Sequence, residues 1–90
     1  MSEAKVTTDH EQIRRWAEQR GGKPATVKRT KSKDEPGILR LDFEPPDEGL
    51  EPIDWDDFFD KFEKEKLAFL YNDRTADGKV SRFHKLINRS

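Results

Sequence analysis

Four aspartates stand close together past the middle of the sequence, and carboxylates at this density can share a proton or bind a metal ion. Their spacing differs from the D-x-[DN]-x-[DN]-G pattern of calcium loops. Acids are also favoured at a helix N-terminus, because the helix dipole is positive there. We therefore predict that they begin a helix and bind no metal or cofactor; a small enzyme or metal protein is the alternative. The residues are Asp54, Asp56, Asp57 and Asp60.

The histidines and the nucleophilic residues give no catalytic pattern. His10 and His84 are the only histidines, and neither has a second histidine within one helical turn. We expect both at the surface, with His84 on the solvent-exposed face of a strand. The sequence contains no Cys, no G-x-S-x-G elbow and no glycine-rich phosphate loop. We therefore predict no catalytic residues and expect that the chain is not an enzyme.

Basic residues are frequent between positions 14 and 33. Phosphate binding needs several cations on one face, because affinity grows with the number of charges that are neutralised. The formal net charge of −1 for the whole chain argues against a strong polyanion site. Weak nucleic-acid or anion binding is therefore the alternative function. The candidate contacts are Arg14, Arg15, Lys23, Lys28, Arg29, Lys31 and Lys33.

Charge along the chain falls into three blocks. Residues 1–33 hold nine basic (Lys/Arg) and four acidic (Asp/Glu) residues. Residues 34–60 hold one basic and eleven acidic residues, and residues 61–90 hold eight basic and four acidic residues. Such blocks can neutralise one another on folding or present separate charged faces. Charged residues make up 41% of the chain, but the clustered aromatic residues argue against a disordered protein.

The first half of the chain predicts one helix and one hairpin. Residues 1–7 are predicted to be a disordered tail, and residues 8–90 a single domain. A helix over 9–20, capped by Thr8, would bury the stripe Ile13, Trp16 and Ala17 and end at Gly21-Gly22. Alternating patterns predict strands over 25–30 and 38–43, joined by a charged turn. The segment 44–52, with three prolines and four acids, is predicted to be a mobile loop.

The second half predicts another helix and another hairpin. Asp54 would cap a helix whose aromatic stripe forms the core. Any aromatic ring of the stripe that does not fit into the core would form an exposed patch that favours self-association. Strands are predicted over 67–72 and 80–88, around the turn signal Asp77-Gly78, with a helix over 80–88 as the alternative. The fold class is α+β: an antiparallel sheet of about four strands with two helices, in the order α-β-β-α-β-β. The aromatic stripe is Trp55, Phe58, Phe59 and Phe62.

Three segments together resemble a family of short, uncharacterised bacterial proteins: TTDHEQIRRWAEQRGGKPATVK, GILRLDF and IDWDDFFDKFEKEKLAFLYNDRTADGKVSRFHKLINR. The resemblance covers Thr7 to Arg89, and it implies a bacterial source and a stand-alone domain. Some relatives bear the label glucan branching enzyme. That activity normally uses a (β/α)8 barrel of about 250 residues, so the resemblance carries no activity onto these positions.

Targeting signals and membrane segments are not evident in the sequence. Residues 1–8 lack an apolar signal region, and no apolar run approaches the roughly 20 residues of a membrane span. The absence of Cys fits a reducing compartment. We expect a cytoplasmic monomer that does not contact membranes. Its size and charge blocks favour a non-enzymatic accessory or interaction module with a protein partner that the sequence does not identify.

Overall fold

The computed structural model describes residues 4–30 and 37–89. Within these two ranges the chain forms two helices and six strands, and all strand pairs are antiparallel. The elements are β1 (Lys5–Thr7), α1 (His10–Glu18), β2 (Lys23–Val27) followed by a 3-10 turn (Lys28–Thr30), β3 (Leu39–Asp42), β4 (Leu50–Pro52), α2 (Trp55–Lys64), β5 (Leu67–Tyr71) and β6 (His84–Asn88).

The α+β class and both hairpins are confirmed. The strands form two three-stranded sheets, in the orders β1-β5-β6 and β3-β2-β4, rather than one sheet of about four strands. The sequence left 80–88 open between strand and helix, and the structure has a strand over the second part of this segment, His84–Asn88, with Tyr71 opposite His84.

Two short strands lie where no strand was predicted. Residues 5–7 were predicted to belong to a disordered tail, but they form β1, in which Val6 pairs with Leu70. The predicted loop 44–52 ends in β4, where Pro52 lies opposite Ala25. β4 is an edge strand, where a proline is tolerated because one side of the strand needs no ladder hydrogen bonds.

Helix α1 begins one residue later than predicted. Asp9, not Thr8, is the N-cap, and its carboxylate accepts a hydrogen bond from the Gln12 N–H at 3.1 Å. The helix ends at Glu18, two residues before the predicted end, and the predicted glycines follow shortly after it. Gly21 has φ +73°, a left-handed conformation that glycine adopts readily, and the Gly22 N–H donates to the Ala17 carbonyl at 2.8 Å.

One core connects both helices with both sheets. Trp16 of α1 packs against Phe69 of β5, with the ring centres 5.3 Å apart. Phe58 and Phe62 of α2 are fully buried in the same cluster. Burial along β3 follows its alternating pattern, because Leu39 and Leu41 are buried and Arg40 is exposed. The remaining buried members are Ile13, Ala17, Phe69 and Tyr71.

Strand β2 is covered on both faces, whereas an alternating pattern is typical of a strand with one solvent-exposed face. Ala25 and Thr26 point to opposite sides, and each is only 1% exposed. β2 lies between β3 and β4, and α2 packs against it. Among the described residues, the Thr26 hydroxyl oxygen has no hydrogen-bond partner.

Candidate interaction site

The two predicted cations on α1 are balanced by acids of the same helix. The Arg14 Nε lies 3.2 Å from a Glu18 carboxylate oxygen, and an Arg15 guanidinium nitrogen lies 3.5 Å from Glu11. Both pairs have the i,i+4 spacing that favours contact on a helix surface. α1 therefore presents nearly neutral pairs instead of a free positive surface.

The predicted cations on β2 and its 3-10 turn are exposed. Lys23 lies opposite Asp42 on β3, and its surroundings are partly acidic. Lys28 and Arg29 lie in the turn at the other end of β2. Within residues 4–30 and 37–89, no ion pair or hydrogen bond joins these three residues to Arg14 or Arg15. Lys31 and Lys33 lie outside the described residues.

A groove of about 570 Å³ separates α1 from the start of α2. Trp55 and Phe59 form the aromatic wall of this groove. Both belong to the stripe that was predicted to form the core, but both are only half-buried. The two rings stack at 5.4 Å, and His10 stacks on Phe59 at 4.2 Å. Charged residues of both signs complete the groove: Glu11, Arg14, Arg15, Glu18 and Asp56.

His10 is exposed, as predicted, but it has specific partners. Its Nε2 lies 2.7 Å from a Glu63 carboxylate oxygen. Arg89 donates to both oxygens of the same carboxylate, at 3.3 and 3.2 Å. The hydrogen bonds from Arg89 and then from His10 lower the pKa of Glu63. This exposed network ties α1 to α2 and to the end of β6.

The prediction for His84 is wrong, because its ring lies on the inner face of β6. The ring is 5.6 Å from Trp16 and 5.7 Å from both Phe43 and Phe69. Its Nδ1 donates to the Arg82 carbonyl at 2.9 Å. Burial lowers the pKa of His84, and the charge of Arg40 lowers it further. Register explains the error: the inner face is fixed by Tyr71 opposite His84, which turns Phe83 outward.

A second cleft, of about 360 Å³, lies between β3 and β6. These strands are the edges of the two different sheets. Among the described residues, no backbone hydrogen bond joins them. The cleft therefore separates two sheet edges that have backbone groups available for pairing. Its lining residues are Leu39, Arg40, His84, Lys85, Leu86 and Ile87.

Basic side chains stand at the outer side of this cleft. Arg40 and Lys85 are exposed, and neither forms an ion pair with any residue in the described part of the chain. Arg40 donates to the Leu39 carbonyl at 2.9 Å, along the open edge of β3. The cleft therefore combines open backbone edges with positive charge.

One of the four clustered aspartates caps α2, and two others lie in its first turn. Asp54 is the N-cap, and its carboxylate accepts the Asp57 N–H at 2.7 Å. Asp56 and Asp57 lie in the first turn, where the helix dipole favours negative charge. Among the described residues, no three potential ligands are grouped as a metal ion would need.

Comparisons of the chain with family models, with curated proteins and with solved structures find no match. The resemblance to the family of short bacterial proteins therefore stays a prediction. In the part of the chain that the structure describes, no helix has the length and apolar character that crossing a membrane requires.

Sequence reasoning missed the cleft between β3 and β6, although one signal was present. Arg40 is the only basic residue in the acidic block 34–60, and it alternates with Leu39 and Leu41. That pattern places a lone cation on the outer face of a strand. Arg40 lies at the same cleft as Lys85 because of the way the two sheets pack, and the local sequence pattern gives no information on that packing.

Proposed function

We propose that this chain is a non-enzymatic protein-interaction module of the bacterial cytosol. The observation that supports it is the cleft between β3 and β6. Two open sheet edges with unpaired cations offer backbone hydrogen bonds and positive charge together, and these are the means by which sheet edges recognise extended segments of other proteins. The resemblance to short bacterial proteins and the absence of Cys support the cellular location.

A pull-down from a lysate of the native cell tests this function. The bait is the wild-type chain, compared with a variant that carries Arg40→Glu and Lys85→Glu. The control variant carries Arg14→Glu and Arg15→Glu, which changes the charge by the same amount on α1. We expect a partner that the cleft variant loses and the control variant keeps. A partner retained equally by all three proteins would contradict the assignment to the cleft, and specific turnover by the pure chain would contradict the function.

Weak nucleic-acid binding is the second candidate function. Lys28 and Arg29 favour it, because both are exposed and neither pairs with an acid among the described residues. The paired arginines of α1 contribute less. A ¹⁵N–¹H NMR titration with short mixed-sequence DNA and RNA should then shift the Lys28 and Arg29 amides, with affinity that falls as salt rises. Shifts that survive Lys28→Glu with Arg29→Glu, or no shifts at low salt, would remove this candidate.

A further inference from the structure

Backbone groups of β6 point into the cleft in a defined pattern. The Asn72 N–H donates to the Phe83 carbonyl, and Lys85 pairs with Leu70 in the same register. In an antiparallel pair every second residue turns its backbone toward the partner strand. The intervening residues His84 and Leu86 therefore turn their N–H and C=O groups away from β5, toward the open edge.

The facing edge of β3 follows the same rule. The Val27 N–H donates to the Ile38 carbonyl, and Ala25 pairs with Arg40. Leu39 and Leu41 therefore turn their backbone groups away from β2. The Leu39 carbonyl is already an acceptor for Arg40, so this edge is partly occupied. The edge of β6 is the freer of the two.

Side chains around the cleft are sorted into an apolar inner side and a basic outer side. Leu39 and Leu86 point inward to the core, whereas Arg40 and Lys85 point outward. A strand laid along β6 would expose its own side chains alternately to these two sides. A strand with acidic residues at the outward positions and apolar residues at the inward positions would match both sides of the cleft.

The other two sheet edges fit a partner less well. β1 and β4 have three residues each, against five in β6. The Lys5 ammonium of β1 already pairs with Asp73 at 2.6 Å, and β4 ends in Pro52, which has no N–H to donate.

We propose that the cleft binds an extended peptide segment of a partner protein in which acidic and apolar residues alternate. Its backbone pairs with the open edge of β6, and its carboxylates contact Arg40 and Lys85. The inference rests on the proposed function and names the chemistry of the partner. A second copy of this chain is the competing occupant, and the experiment below separates the two.

The test uses a synthetic peptide of about seven residues in which Glu and Val alternate, a length typical of a strand. One control peptide has Lys in place of Glu. Another has the same composition with the Glu residues in one block and the Val residues in another. Binding is followed by ¹⁵N–¹H NMR on the whole chain, together with the exchange rates of the His84 and Leu86 amides.

We expect shifts at residues 39–41 and 84–87 and slower exchange of the His84 and Leu86 amides, because their N–H groups gain acceptors. The variant with Arg40→Gln and Lys85→Gln should bind at least roughly tenfold more weakly. The variant with Arg14→Gln and Arg15→Gln should bind as the wild type does. Both control peptides should bind much more weakly than the alternating acidic peptide.

Three results would overturn the proposal. Equal binding of the lysine peptide or of the block peptide would show that neither the charge nor the alternation matters. Shifts without slower exchange of His84 and Leu86 would show that no strand is added. Concentration-dependent shifts of the cleft without any peptide would identify a second copy as the occupant. The spectrum of each variant without peptide shows whether it is folded, and both altered cations are exposed.

Failure of this inference is distinguishable from failure of the proposed function. A partner that is captured through Arg40 and Lys85 while the acidic peptide does not bind would leave an interaction module with a different recognition chemistry. If the cleft variant also captures the same proteins as the wild type, both proposals fail.

Discussion

At the scale of single residues, Arg20 joins three separate parts of the fold. Its guanidinium lies over the Trp16 ring, 4.2 Å from the ring centre. It donates to the Asp73 carbonyl at 2.8 Å and to the Ser81 carbonyl, and also to the carbonyl of Trp16. These bonds fix the connection between β5 and β6 on the end of α1.

Arg20→Ala should lower the free energy of unfolding by about 2 kcal/mol, because several carbonyls lose a charged donor. Arg14→Ala is the matched control, since that exposed pair with Glu18 should contribute less than about 0.5 kcal/mol. Urea denaturation of both variants measures the difference. Equal loss of stability in the two variants would contradict this role for Arg20.

His84 should make stability depend on pH. Burial lowers its pKa below the ordinary value of 6.5, so the unfolded chain binds the proton more readily than the folded one. Stability is then full above about pH 6.5 and falls as the pH is lowered below it. His84→Phe, which keeps an aromatic ring, should flatten this part of the curve of melting temperature against pH. His10→Phe is the control, and an unchanged slope in His84→Phe would refute the prediction.

At the scale of the elements, the end of α1 depends on the backbone freedom of one glycine. Gly21 has φ +73°, and an added Cβ would meet no other atom within 4 Å. Gly21→Ala should therefore cost about 1 kcal/mol through backbone strain alone. Gln19→Ala is the control, because Gln19 caps the helix with φ −62° and is exposed. Thermal unfolding compares the two; equal melting temperatures would contradict the strain argument.

Helices were the elements that the sequence predicted best, because their caps and apolar stripes are local. Asp54 with Trp55 to Phe62 placed α2 correctly, and Gly21 placed the end of α1. The short strands were harder: β1 and β4 have three residues each, too few for alternation to show. In β6 the sequence predicted that His84 faces solvent, but pairing with β5 turns His84 toward the core and Phe83 outward.

At the scale of the whole molecule, the two sheets share one core although their strands do not pair. Leu41 belongs to one sheet and Phe69 to the other, and both lie in the cluster around Trp16. Packing through the helices should therefore couple the unfolding of the two sheets, as the prediction of a single domain over residues 8–90 requires.

Leu41→Ala and Phe69→Ala should each destabilise both sheets, by about 2–5 kcal/mol. The measurement is amide hydrogen exchange, read separately for β2 and for β5. Faster exchange in both strands for each variant is the expected result. Exchange that increases only in the sheet carrying the substitution would show that the sheets unfold independently. Ile38→Ala, at a half-exposed position, is the control and should change little.

The sequence by itself determined the α+β class, both helices, the two hairpins and the capping role of the aspartates. Each of these depends on residues a few positions apart, so local hydrogen bonding and periodicity are sufficient. Tertiary structure alone decided that β3 and β6 face each other, that the His84 ring faces the core, and that Arg40 and Lys85 lie at one cleft. The cleft depends on the packing of two strands more than 40 residues apart, and the orientation of His84 depends on the register of β6 with β5. The local sequence pattern fixes neither of them.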